Sequence, residues 1–394
     1  MARRTQRQPH GRRIQAPGGY FAYVPEPLPP RMEWRPELVA SLSAADRAIG
    51  RLAGEGQRLP NPHLLIRPFV RREAVLSSRI EGTQATLGEL LASEAGAAVE
   101  RSPADLREVG NYVVALEHGI QRLDSLPLSL RLVTELHERL MRGVRGDTAT
   151  PGEFRRSQNW IGSPGCTLAN ATFVPPSPDR LMNCLGEWER FLHDETVPPL
   201  VHAALAHSQF EAIHPFLDGN GRVGRLLITL GLIAKGVLPS PLLYLSAYFE
   251  ATRDEYYARL LGVTERGEWE EWVGYFLRGV GHQAGDALRR IQRIDDLRSS
   301  FGERLAGSSS RTPQMALDLF IENPFWTVNR LAERLDVAFT TAQRAIDRLE
   351  EAGIVTRVGE ARRNRVYCAR EILEILEEPP ALPGATAATG RQEP

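Results

Sequence analysis

Apolar residues recur at helical spacing over most of the chain. Leu38, Leu42, Ala45, Ile49 and Leu52 return every three or four positions, which gathers them on one stripe of a helix. Pro60-Asn61-Pro62 breaks this run. A second helix is predicted over about 64–81, with Gly82 as its stop, and two more over 106–123 and 129–142. Residues 146–179 break the pattern: they are rich in turn formers and hold one short β-like run, Ala171 to Val174, which predicts a loop with a small hairpin. Helical periodicity resumes at Arg180 and runs, with short breaks, to Leu305. Gly307 to Ser310 reads as a linker. A small module follows, with helices over 313–321, 327–335 and 339–352 and strands at 354–356 and 365–367. The ends differ from the rest. Residues 1–30, rich in Arg, Pro and Gly, are expected to be a flexible basic arm, and residues 377–394 a disordered tail.

Composition narrows the class. With 394 residues, 42% hydrophobic and 25% charged, the chain suits an ordinary globular protein of two or three domains. A net charge of −1 leaves nucleic-acid binding to local patches. Three scattered cysteines predict no disulfide framework and suit a reducing cytoplasm. No run approaches the roughly 20 apolar residues of a spanning helix, and the basic N-terminus lacks the apolar stretch of a signal peptide, so no membrane association is expected. Lys235 is the single lysine, which reflects composition bias rather than function.

One segment concentrates chemistry: His214-Pro215-Phe216-Leu217-Asp218-Gly219-Asn220-Gly221-Arg222-Val223-Gly224-Arg225. An apolar helix, 201–213, leads in and a second, 223–234, leads out. Gly219, Asn220 and Gly221 suit a tight turn. The N–H groups opening the second helix make an anion site. Arg222 and Arg225, three apart in its first turn, offer forks that match phosphate oxygens. Asp218 suits magnesium, which takes few carboxylates beside phosphate oxygens, and His214 suits a general base. Each part alone is ordinary: a structural histidine, a turn, a solvated pair of arginines. Their combination within twelve residues points to phosphate chemistry.

This segment matches the Fic signature HPFx[D/N]GNGRxxR at every fixed position, and the chain resembles the Fic family over roughly residues 30–290. GEFRRSQNWIG (152–162) and TFVPPSPDRLM (172–182) resemble the segments around the family's target-docking flap, and residues 62–84 its N-terminal region. The resemblance implies a mainly α fold: an N-terminal helical region with an inhibitory helix (31–120), a Fic core (121–305) with a short β-hairpin flap, and a C-terminal winged helix-turn-helix (311–376). It implies transfer of AMP from ATP, with Mg2+, to a Tyr, Thr or Ser hydroxyl of a target protein. His214 would be the base and Asp218 the metal ligand. Gly219, Asn220 and Gly221 would form the anion hole, flanked by Pro215, Phe216 and Leu217, with Phe216 anchoring the loop. Arg222 would hold phosphates, Arg225 would grip the γ-phosphate, and Gln209 would border the nucleotide pocket. Phe173 and Val174 would lie on the flap, where the target backbone adds a strand.

Ser77-Ser-Arg-Ile-Glu81-Gly82 fits the family's inhibitory motif [S/T]xxxE[G/N]. In that motif the glutamate, here Glu81, pairs with the second signature arginine and takes the place of the γ-phosphate. The same glutamate would position a water for removal of AMP. In the C-terminal module the helix from Phe339 would present Thr340, Thr341, Gln343 and Arg344 to base edges, with 360–365 as a basic wing toward phosphates. The alternative reading is a DNA-binding regulator whose Fic part senses a nucleotide. A further alternative keeps the loop but changes the donor, for example to UTP or CDP-choline. Exposed helical surface permits a homodimer.

Overall fold

The computed structural model describes residues 10–58, 63–144, 150–163, 165–306, 310–359 and 364–380. The chain opens with strands β1 (Gly11–Gln15) and β2 (Phe21–Pro25). Helices α1 (Pro36–Arg58), α2 (His63–Ile80), α3 (Leu87–Glu94), α4 (Pro103–Arg122), α5 (Leu130–Leu140), α6 (Pro178–Leu192), α7 (Pro199–Ile213), α8 (Asn220–Ala234), α9 (Ser246–Ala251), α10 (Arg253–Arg266) and the long α11 (Trp269–Leu305) follow. A final module holds α12 (Thr312–Glu322), β3 (Phe325–Thr327), α13 (Val328–Leu335), α14 (Phe339–Glu351), β4 (Thr356–Val358), β5 (Val366–Cys368) and α15 (Arg370–Glu377). The protein is mostly helical, with two small antiparallel sheets.

The core is built around α7, where all but two residues are buried. A helix apolar on every side must be enclosed by others. Helices α6, α8, α10 and α11 enclose it. Trp188 of α6 and Trp272 of α11 are both buried and donate their indole N–H groups to α7 carbonyls, at Ala206 and Ala204, each at 2.9 Å. Helix α1 lies along α11, and α2 is held by α4 and α9. The end of α7 and the start of α8 are thereby fixed in a rigid frame.

The expected flexible arm is corrected for residues 10–25; residues 1–9 lie outside the described part. Strands β1 and β2 form an antiparallel hairpin, Gly11 opposite Pro25 through Gln15 opposite Phe21. Gly18 (φ 112°) and Gly19 (φ 86°) make the turn. Ala22 and Tyr23 are buried, and β2 packs on α6 and α7, so the apolar run after the turn has a surface to cover. Helix α3 was not anticipated either. Thr86 and Glu89 close a capping box there, with Thr86 N–H donating to Glu89 Oε2 at 2.8 Å.

The C-terminal module has a three-stranded sheet, β3-β5-β4, rather than the two strands anticipated. Ile354 and Val355 do not pair. Their N–H groups turn back onto the Leu349 carbonyl at 2.9 and 3.4 Å and finish α14, which moves the strand to Thr356–Val358. Residues 59–62, the spacer 307–309, the charged turn 360–363 and the tail from 381 lie outside the described residues. Helices α12 and α15 pack on α2 and α11. Arg290 of α11 is 2% exposed. It donates from Nε to Asp286 (2.7 Å), from Nη2 to the Glu378 carbonyl (2.6 Å) and from Nη1 to the Ile375 carbonyl. Arg72 of α2 lies 3.8 Å from Asp286 and also donates to Glu378 O (3.3 Å). Two buried guanidinium groups thus share one buried carboxylate, and burial lowers the pKa of Arg72 to about 10. Removing that carboxylate leaves two unpaired buried charges. Asp286→Ala is expected to lower the unfolding free energy by about 3–5 kcal/mol, as read from urea denaturation.

Candidate active site

Helix α7 ends on His214, whose backbone is left-handed (φ 48°, ψ 62°). Non-glycine residues rarely adopt this, and the surroundings hold it there. The His214 carbonyl accepts from Arg155 Nε (2.9 Å) and Asn159 Nδ2 (3.1 Å). Asn220 clamps the loop: its Oδ1 accepts the Phe216 N–H and its Nδ2 donates to the Phe216 carbonyl, both at 2.8 Å. Phe216, fully buried, stacks on His137 of α5 at 3.7 Å and 8°. His137 Nδ1 accepts the Gly152 N–H (2.9 Å), so its Nε2 carries the proton and donates to the Asp218 carbonyl (3.1 Å). Burial lowers the pKa of His137 to about 4, keeping the ring neutral for both contacts. Gly219 (φ 78°) opens α8, and a Cβ there would stand 2.8 Å from Met141 Sδ.

The loop sets the tautomer of His214. Its Nδ1–H donates to the Glu211 carbonyl one turn back (3.2 Å), which leaves Nε2 as a bare acceptor. Burial drives its pKa to about 4, opposed by the bond to Glu211 and reinforced by Arg155. Near neutral pH the imidazole is uncharged and can take a proton.

Arg225, in the first turn of α8, is 2% exposed. Its Nε donates to Ser77 Oγ (2.9 Å), and its Nη2 to the Ser77 carbonyl (3.0 Å) and Glu81 Oε1 (2.6 Å). Burial disfavours the guanidinium charge, but adjacent Glu81 outweighs it and raises the Arg225 pKa. Burial likewise pushes the Glu81 carboxyl up, and Arg225 more than reverses this, so Glu81 is held below its ordinary value. A Cβ at Gly221 would collide with Glu81 Oε1. The carboxylate therefore sits directly on the opening of α8, where its N–H groups attract anions. Gly82 (φ 101°) turns the chain away just after it.

Arg222 does not share partners with Arg225. Its Nη1 donates to Glu108 of α4 at 2.5 Å, and its Nη2 lies 3.7 Å from Asp218 Oδ1. Leu217 and Asp218 are exposed; Asp218 Oδ1 accepts the Gly219 N–H at 2.6 Å. Gln209 is buried on α7, and its Oε1 has no hydrogen-bond partner. In the flap region Ile161 and Phe173 exchange both backbone bonds, at 2.9 and 3.0 Å, as a single bridge rather than a longer hairpin. The Val174 carbonyl already accepts the Tyr23 N–H of β2 (2.9 Å), and the Tyr23 ring packs against Phe173. That carbonyl is therefore already engaged by β2.

Several contributors had no signal in the sequence. Glu73 is buried on α2, one turn before Ser77, and accepts from Ser246 Oγ (2.5 Å) and Tyr112 (3.2 Å). Glu211 lies behind the loop, its Oε1 without a partner, and burial raises its pKa to about 7. Arg155 and Asn159 stand inside a recognisable segment, yet nothing there marked them as props for the His214 carbonyl. Because the folded Glu211 pKa is raised, its contribution is present below about pH 4.5 and lost as pH climbs through about 7. Glu211→Gln has no such titration. Relative to the parent, its unfolding free energy is expected to rise from about pH 5 to about pH 8 in urea titrations; a constant difference would contradict the assignment.

Known proteins share these features. Residues 39–121 match the family described as Fic/DOC family N-terminal, residues 127–232 the Fic/DOC family, and residues 310–356 the winged helix-turn-helix DNA-binding family. The chain is 30% identical over 201 residues to Protein adenylyltransferase Fic of Drosophila yakuba, covering 48% of this chain and 36% of that one. With its namesake in Drosophila melanogaster it is 37% identical over 123 residues, covering 30% and 22%. It thus spans only about a third or less of the length of these relatives. In three dimensions it resembles a Fic family protein from Desulfovibrio desulfuricans G20, with TM-score 0.59, 22% identity and coverage of 87% and 98%. It also resembles Fic-1 (residues 134–508) from C. elegans, with TM-score 0.50, 24% identity and coverage of 65% and 74%. The matched regions follow one another in order and carry the loop, its arginines and the helix that meets them: residues 39–121 and 127–232 of the chain are Fic/DOC family regions.

Proposed function

We propose that this chain transfers AMP from ATP to a hydroxyl side chain of a target protein and is held inactive by its own Glu81. The observation that carries this is a carboxylate resting on an anion-attracting helix start, bonded to Arg225, beside a neutral histidine. An anion of the chain itself fills a place suited to a nucleotide's terminal phosphate. The relatives named as protein adenylyltransferases support the same chemistry.

In this reading the target oxygen attacks the α-phosphorus. Its proton passes to His214 Nε2, a phosphorus–oxygen bond forms, the bond to the bridging oxygen breaks, and pyrophosphate leaves. The Glu211 carbonyl holds His214 in the accepting tautomer, and the first N–H groups of α8 meet the growing negative charge. Arg225 grips the γ-phosphate once Glu81 has moved aside. Asp218 fits a magnesium ion: it is exposed and has one oxygen on Gly219 N–H, leaving the other for a cation that takes its remaining ligands from phosphate and water. Bound there, the ion would neutralise phosphate charge. Glu81 would also suit a hydrolytic water, which makes removal of AMP a second activity of the same site. The three cysteines are free, in keeping with a cytoplasmic setting.

The C-terminal module supports a second, compatible reading as a DNA contact. Phe339, Thr340 and Arg344 are exposed along the start of α14, while Gln343 is turned to Asp347 (2.7 Å). Retention of duplex DNA that falls on Arg344→Ala is the expected result; equal retention would leave the module to protein contacts.

Incubated with labelled ATP and magnesium, Glu81→Gly is expected to incorporate AMP faster than the parent. Adding His214→Ala should cut the rate by about 10²–10⁴-fold. The low His214 pKa also predicts a rate that does not fall from about pH 8 to about pH 6. Intact-mass analysis reads the transfer, and incorporation that ignores both substitutions would end the proposal.

A further inference from the structure

Arg222 stands between two carboxylates. Its side chain is 4% exposed, and Nε is buried without a partner. Nη1 donates to Glu108 Oε1 at 2.5 Å, while Nη2 is 3.7 Å from Asp218 Oδ1 and 3.6 Å from Met141 Sδ. Glu108 itself is largely buried, at 13% exposure. Its Oε1 also accepts from Thr83 Oγ1 (3.1 Å), two residues beyond Glu81. The geometry commits the hydrogen bond of Arg222 to Glu108 and leaves Asp218, 51% exposed, in a longer ion pair at 3.7 Å.

A buried guanidinium needs a counter-charge, since an uncompensated one costs several kcal/mol. With Glu108 gone, the nearest carboxylate to Arg222 is Asp218. Moving Nη2 from 3.7 Å into hydrogen-bond range would need only a small rotation of the side chain. Asp218 would then be neutralised, and its attraction for a cation would fall. We propose that Glu108 is a positioning residue that holds Arg222 back from a hydrogen-bonded pairing with Asp218, so that the Asp218 carboxylate stays available to the divalent cation of the nucleotide complex. This rests on the reading of the site given above. Glu108 touches no reacting atom; it acts through Arg222. Thr83 ties the same carboxylate to the segment that leaves the inhibitory glutamate, and so fixes where Glu108 points.

The test measures cation binding rather than turnover. Free Mn2+ is followed by electron paramagnetic resonance as it is titrated into Glu81→Gly protein holding a non-hydrolysable ATP analogue. Nucleotide binding in EDTA is measured alongside. Adding Glu108→Gln is expected to weaken Mn2+ binding about tenfold or more, with cation-free nucleotide binding within about twofold. Glu108→Asp keeps the charge at shorter reach and should fall between. Equal Mn2+ affinity in the Gln variant overturns the proposal, as does an equal loss of cation-free nucleotide binding, which would mark a purely structural role. If the Gln variant does not fold, the Asp variant decides by the same measure, with parent affinity overturning the proposal. Failure of the Glu81→Gly parent to bind nucleotide at all would instead defeat the reading of the site as a nucleotide pocket, and the proposal with it.

Discussion

The ion pair between the buried Arg225 and the more exposed Glu81 organises the site. A guanidinium 2% exposed cannot stand alone in a helical core, and every element around it answers to that need. Ser77 gives it a hydroxyl and a carbonyl, and Glu81 gives it a charge. Ser77 lies in the last turn of α2 and Glu81 directly follows its end. Because the carboxylate lies against Gly221, neutralising Arg225 and covering the anion-attracting end of α8 are one event. In the proposed function a phosphate would replace Glu81, offering negative charge in the same place.

The loop that presents this pair is held by groups whose charge does not change near neutral pH. Asn220 closes it from within, the His137 ring supports it from α5, and Arg155 and Asn159 hold the left-handed turn at His214 from the flap side. None of these bonds depends on protonating an imidazole, because burial keeps both His137 and His214 uncharged near neutrality. The base of the proposed reaction would therefore sit on a scaffold that does not titrate with it.

Much of this was legible in the sequence because the decisive chemistry is local. His214 to Arg225 carries base, carboxylate, glycines and arginines in one short stretch, and the helical periods on either side predicted the frame. What stayed hidden was held by distant partners. Glu108 and Glu73 look like residues of amphipathic helices until α4 and α9 are seen to meet α8 and α2. The β1–β2 hairpin was obscured by its arginines and prolines, although Phe21 to Val24 carries a strand-like run. The capping box at Thr86 was readable from Thr-x-x-Glu and went unused. The two arginines three apart suggested a shared face, but burial sent Arg222 to Glu108 and Arg225 to Glu81.

The joint between α2, α11 and the C-terminal module changes what counts as a separable piece of this molecule. Arg72 and Arg290 complete their hydrogen bonds only with carbonyls at Ile375 and Glu378, at the far end of the C-terminal module. Cutting the chain after Ala306 would not trim an appendage. It would strip one flank of the very helix that leads to Glu81 and leave two arginines facing water across a broken seam. A core excised at that point would report on an altered contact between Glu81 and Arg225, whatever activity it displayed.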